Sequence, residues 1–154
     1  MTVPLSPDAV LVAAIEDAPR AGAHYFYLMD ASGAAVALEC SAAASARIPV
    51  AGAYVHCNHV LAQDILPLES QGTPVASSYA RQGRLASLLA SKPAHTSADL
   101  EGYLADHEGG VNAICRHDYN GISSNGSVIM NPATRRLRAV HGPACQGEWR
   151  TYEV

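Results

Sequence analysis

The sequence predicts a single soluble α+β domain, and three observations carry that expectation. The aromatic run His24 to Met29, the turn residues Asp30-Ala31-Ser32-Gly33 and the returning run Ala34 to Cys40 form the pattern of a β-hairpin. Two stretches with helix start and stop signals occupy the middle of the chain, and strand-like runs follow them. A length of 154 residues leaves room for one ordinary domain, residues 1–154.

Taken in order, Ser6 offers a cap and Pro7 a first helical position. Val10, Leu11, Ala14 and Ile15 then make an apolar stripe before Pro19, so a helix is expected from Pro7 to Ala18. After the hairpin, Arg47-Ile48-Pro49 and Ala53 to Cys57 read as short extended runs divided by Gly52. Leu61 to Ala76, with Pro67, Gly72 and Pro74, holds no periodicity and reads as a long loop of the kind that serves as a lid. Ser77-Ser78 is expected to cap a helix through about Ala90, with Tyr79, Leu85, Leu88 and Leu89 inward, ended by Lys92-Pro93. Thr96, with Asp99 three residues on, caps a second helix that stops at Gly109-Gly110. Asn112 to His117, Ser127 to Met130, Leu137 to Val140 and Trp149 to Glu153 read as strands, with a turn at Asn131 to Thr134.

Composition excludes several roles. Ten Lys and Arg against 14 Asp and Glu give a net charge of -4, no electrostatic footprint for nucleic acid or an anionic membrane surface. At 49% hydrophobic and 16% charged residues the chain is too apolar to be disordered. No stretch reaches the ~18 apolar residues of a spanning helix, and the first residues lack a secretory signal. Cys40, Cys57, Cys115 and Cys145 are widely spaced, without a CxxC, which suits free thiols in the cytoplasm.

Two clusters could carry chemistry. In His56-Cys57-Asn58-His59, strand alternation would place Cys57 with His59 and His56 with Asn58. A Cys beside a His suits a nucleophile and base, and with Cys115 and His117 the cluster suits zinc; equally, the histidines suit structural hydrogen bonds and Cys57 a small buried group. In Ile114-Cys115-Arg116-His117, Arg116 suits a carboxylate clamp or an ion pair with one of the acids. Thr2, if the initiator Met were removed, would be an N-terminal nucleophile, though the helix cap at Ser6 follows too soon for the opening of a central strand.

In sequence order, His56-Cys57-Asn58-His59, Ser77-Ser78-Tyr79-Ala80-Arg81, Asp106-His107, Ile114 to His117, Ser127 to Met130 and Gly142-Pro143-Ala144-Cys145 resemble the acyl-coenzyme A:6-aminopenicillanic acid acyltransferase-like proteins, the C45 peptidase family of N-terminal-nucleophile hydrolases. The resemblance implies an αββα sandwich and cleavage or transfer of an amide-linked acyl group. In that chemistry an N-terminal Cys, exposed by autocatalytic cleavage, forms a thioester that water or an amine resolves. It further implies that Asn58 is an oxyanion-hole donor and Arg116 the active-site arginine, with His56, His59 and His117 toward the substrate.

Cys57 stands where the family has Thr, which leaves it adventitious or a relocated nucleophile. The resemblance also implies relatives about twice this length, with Met1 to Leu5 matching the middle of the family chain and the nucleophilic Cys outside the present one. Three readings follow. The chain is the C-terminal part of an amidohydrolase or acyltransferase acting on a small acyl amide, a non-catalytic assembly or binding module, or a His/Cys metal site built from His56, Cys57, His59, Cys115 and His117. The first calls for no cofactor and no metal. Because half a sandwich has open edges, it also calls for a nucleophile-bearing N-terminal half, a second chain or a homodimer as partner.

Overall fold

The computed structural model describes residues 9–68, 76–119 and 121–154, and over these the protein is an α+β mixture of three α-helices and two three-stranded antiparallel sheets. Thr2, Ser6, Pro7 and residues 69–75 of the expected loop lie outside the described residues. Among those described, no helix is long and apolar enough to cross a membrane. The described residues form two compact units, 9–54 with 60–68, and 55–59 with 76–119 and 121–154.

In the first unit, helix α1 (Ala9–Asp17) is followed by strands β1 (His24–Met29), β2 (Ala35–Cys40) and β3 (Ser45–Pro49), in the order β1-β2-β3. The hairpin forms where the sequence predicts it. Asp30 Oδ1 accepts from the Ser32 and Ala34 N–H groups at 2.8 and 3.2 Å, and Gly33 takes the left-handed φ of 87° that closes the turn.

Burial along α1 differs from the expected stripe: Val10, Leu11 and Ala14 are exposed, while Val12 is buried on Val36, Leu38 and Cys40 and Ile15 packs against that cluster. The packing face is the one that meets the central strand, and positions three apart, Val12 and Ile15, define it. Arg20 closes the helix end by donating to the carbonyls of Ile15, Glu16 and Ala18 at 2.6, 3.0 and 3.1 Å, and to that of Ser41 at 3.0 Å.

In the second unit, α2 (Ala76–Ala90) and α3 (Ser97–Leu104) precede β4 (Gly126–Asn131), β5 (Arg136–His141) and β6 (Arg150–Glu153), ordered β4-β5-β6. The capping box is present as expected: Thr96 Oγ1 accepts from the Asp99 N–H at 3.2 Å, and the Asp99 carboxylate accepts from the Thr96 N–H at 2.7 Å. The Asn131 side chain caps the turn between β4 and β5.

Several local expectations are corrected here. Ser77 and Ser78 are not caps but buried residues of the first turn of α2, and Tyr79 is 49% exposed. Helix α3 ends at Leu104 rather than Gly109, because Arg84 grips the Asp106 carboxylate at 2.6 and 3.0 Å while the Asp106 carbonyl accepts from the Cys115 N–H at 2.9 Å. Gly109 (φ 95°) then starts a 3-10 turn, Gly110–Asn112.

Neither Ala53 to Cys57 nor Asn112 to His117 is a strand. In both, polar backbone groups bond to distant side chains or to a loop instead of to a ladder, as with the Val55 carbonyl on Gln82 and the Arg116 N–H on Ser124.

Within the first unit one buried charge organises the backbone. Glu39, on β2 and 3% exposed, accepts from the Leu61 N–H at 2.9 and 3.0 Å and from the Ala62 N–H at 2.8 Å. Replacing Glu39 with Ala leaves both amides without that acceptor, so chemical denaturation should show a loss of about 2–3 kcal/mol. A change below about 0.5 kcal/mol would show that the carboxylate is dispensable.

Candidate functional site

The site is built on one face of α2. Residues three and four apart on a helix are neighbours, and Ser78, Arg81 and Gln82 use that spacing to hold residues 55–59. Ser78, fully buried, is the hub. Its Oγ accepts from the backbone N–H groups of Asn58 at 2.7 Å and His59 at 3.2 Å and lies 2.7 Å from His59 Nδ1. With two N–H groups donating to the oxygen, the hydroxyl proton goes to Nδ1, which leaves the other imidazole nitrogen, Nε2, to donate to Gln82 Oε1 at 2.8 Å. The ring stacks on Tyr79 with centroids 3.9 Å apart. His59, 6% exposed, is therefore fully engaged by the protein and acts by fixing the corner that carries Asn58.

Arg81 donates through Nε to the Ser77 carbonyl at 3.1 Å and through Nη2 to Asn58 Oδ1 at 2.7 Å. Because the oxygen end of the Asn58 amide faces a guanidinium, the Nδ2 end is the one presented as a donor. His56 and Cys57 precede it, both half-buried, in a bent segment where strand alternation does not apply. Burial pushes the Cys57 thiol up, and the Arg81 charge opposes this only in part, so nothing here favours a thiolate.

Arg116 differs from every other arginine described. Its main chain is clamped by Ser124, whose Oγ accepts from the Arg116 N–H at 3.0 Å and whose own N–H donates to the Arg116 carbonyl at 3.0 Å. Its Nε and Nη2 are buried with no hydrogen-bond partner among the described residues. Burial first, and the charge of Arg81 second, push its guanidinium below the ordinary value. Two buried, open N–H donors on a half-buried guanidinium that also feels a second cation have the chemistry that suits an anion. Asn58 and Arg116, singled out from sequence, are thus linked through Arg81, which hydrogen-bonds the first and acts electrostatically on the second. The ion pair expected as an alternative for Arg116 is not formed among the described residues.

His117 lies elsewhere in the same unit. Its Nε2 is 3.0 Å from His107 Nε2, 3.0 Å from Cys145 Sγ and 3.8 Å from Cys115 Sγ, and the two sulfurs are 3.8 Å apart. These four side chains offer a Cys2His2 donor set; His56, Cys57 and His59 are not in it.

Sequence reading missed Ser78, Gln82, His107 and Cys145 as site residues. The one local signal for the first two was polar residues at helical spacing opposite a His-Cys-Asn-His run.

Compared with known proteins, the chain finds no match among those of curated function. Residues 8–140 match the profile of the family described as acyl-coenzyme A:6-aminopenicillanic acid acyl-transferase, a span that takes in Asn58, Ser78, Arg81 and Arg116. With that match over most of its length, the chain belongs to the acyl-coenzyme A:6-aminopenicillanic acid acyl-transferase family.

Proposed function

We propose that this chain supplies the oxyanion-binding and charge-supporting part of a site that cleaves or transfers an amide-linked acyl group. Family membership suggests acyltransferase- or amidohydrolase-like chemistry. The observation that carries the finer reading is the pair of unpartnered, buried guanidinium nitrogens of Arg116.

In acyl transfer, a thiol adds to the amide carbonyl and negative charge develops on its oxygen. The amine then leaves with a proton, the acyl group remains as a thioester, and water or a second amine takes it. Asn58 Nδ2 is the donor suited to the oxyanion, and Arg116 supplies fixed positive charge through two nitrogens that are out of water, which makes that charge worth more than in solvent. Neither side chain can attack a carbonyl, and the raised Cys57 thiol is a poor candidate. The attacking thiol belongs to another segment, brought by a nucleophile-bearing partner.

Three substitutions test this in the assembled enzyme. Asn58→Ala should lower turnover about 10²–10³-fold with the melting temperature retained; turnover within a few-fold of the parent would remove Asn58 from the reaction. Arg116→Met keeps the length of the side chain and removes two buried, unpaired donors. It should therefore abolish turnover while leaving thermal stability equal or higher, whereas a structural arginine would give the opposite pair of results. Cys57→Thr should leave turnover within a few-fold; loss of activity in a folded protein would make Cys57 the nucleophile.

A further inference from the structure

The His107, Cys115, His117 and Cys145 cluster has no part in the acyl-transfer reading and stands independently of it. We propose that it is a structural Zn²⁺ site. The four ligand atoms lie within 4.8 Å of one another and come from three places in the chain. His107 follows α3, Cys115 and His117 lie in the bent segment before β4, and Cys145 sits in the turn between β5 and β6.

Hydrogen bonding does not account for this geometry. An imidazole Nε2 is either one donor or one acceptor, yet His117 Nε2 has three polar neighbours: another imidazole nitrogen at 3.0 Å and two thiol sulfurs at 3.0 and 3.8 Å. The protons these groups carry can satisfy some of these contacts but not all three at His117 Nε2, whereas a cation at the centre uses one lone pair from each of the four atoms. A tetrahedral zinc, with Zn–S about 2.3 Å and Zn–N about 2.0–2.1 Å, sets edges of roughly 3.8 Å between sulfurs, 3.3 Å between nitrogens and 3.6 Å for mixed pairs. The sulfur pair matches at 3.8 Å, the nitrogen pair at 3.0 Å is slightly short of its edge, and the two His117–sulfur distances, 3.0 and 3.8 Å, lie on either side of the mixed edge, so sub-ångström shifts within a cluster spanning 4.8 Å would seat the ion.

The donor types choose the metal. Two thiolates with two imidazoles in a tetrahedral set suit zinc over the hard cations, which take oxygen ligands. With all four positions filled by protein the site is closed, hence structural rather than hydrolytic.

The surroundings are built to hold the ligands. Cys115 is fully buried and tied through its N–H to the Asp106 carbonyl, one residue before His107, and Arg84 fixes the Asp106 side chain. On the other side, a Cβ at Gly147 would lie 2.2 Å from Val140 Cγ2 and 2.7 Å from the His141 carbonyl oxygen. Only glycine lets the turn carrying Cys145 fold back that closely on β5. Zinc here would staple three loops of the second unit and clamp Arg116 from both neighbours.

The test uses the full chain, reduced, stripped with chelator and titrated with Zn²⁺ or Co²⁺ alone. The expected result is one zinc per chain, a melting temperature raised by several degrees on adding Zn²⁺, and thiolate-to-cobalt charge-transfer absorption with tetrahedral ligand-field bands. Cys115 is buried, so the variants are placed at the exposed ligands. Cys145→Ser should weaken the charge-transfer band, and His107→Ala should weaken affinity beyond the ~10–100-fold typical of losing a group that only supports a ligand. Three results would each overturn the proposal: no stoichiometric binding, metal bound equally well by both variants, or a Cys115–Cys145 disulfide with no cobalt spectrum in protein kept under reductant.

Discussion

A single hydroxyl group, that of Ser78, sets the geometry of the candidate site. A serine in the first turn of a helix ordinarily points to solvent or back to its own backbone, but here it is fully buried and serves two amides and an imidazole of residues 58 and 59. Those amides would otherwise need a strand partner. By taking them, Ser78 lets the segment bend out of sheet geometry and brings Asn58 within reach of Arg81, one helical turn further along α2. The direction of the Asn58 amide is thus a consequence of a capping-type interaction made across 20 residues of chain.

Around this corner the polar groups are satisfied: His59 through both nitrogens, Gln82 through both ends, Arg81 through two donors. Arg116 is the contrast. Leaving two buried guanidinium N–H groups unpaired where a second cation also acts on them is unfavourable for folding. An anion placed there would satisfy both the donors and the charge, which is why the proposed acyl-transfer role is assigned to this side chain.

What the sequence disclosed follows how local the determinants are. The hairpin at Asp30 to Gly33 and the capping box of Thr96 and Asp99 rest on residues within four positions of each other, and both appear as read. Ala53 to Cys57 and Asn112 to His117 have strand-like composition, yet their backbone groups are claimed by Gln82 and Ser124 and by the Asp106 carbonyl. That competition cannot be seen in a local window. The packed face of α1 departs from the apolar stripe for a similar reason, since Val12 rather than Val10 meets Val36 and Leu38. Asn58 is singled out through the family resemblance, and Arg116 through that resemblance and through its charge beside Cys115 and His117. His107 and Cys145 were missed because they stand 10 and 28 residues from His117, a spacing that matches no compact metal motif.

The segment Cys115-Arg116-His117 belongs to both the candidate site and the Cys2His2 cluster. Alternate residues face the Cys2His2 cluster, and the residue between them carries the open guanidinium. A flexible loop would let Arg116 swing out to water and recover its hydration, which would erase the electrostatic advantage of burial. Its neighbours oppose this: Cys115 is tied through its N–H to Asp106 and the Arg116 main chain to Ser124, and the proposed metal would hold Cys115 and His117 as well. Holding an unsatisfied charge in place requires rigid flanks, and this chain supplies them on both sides of Arg116.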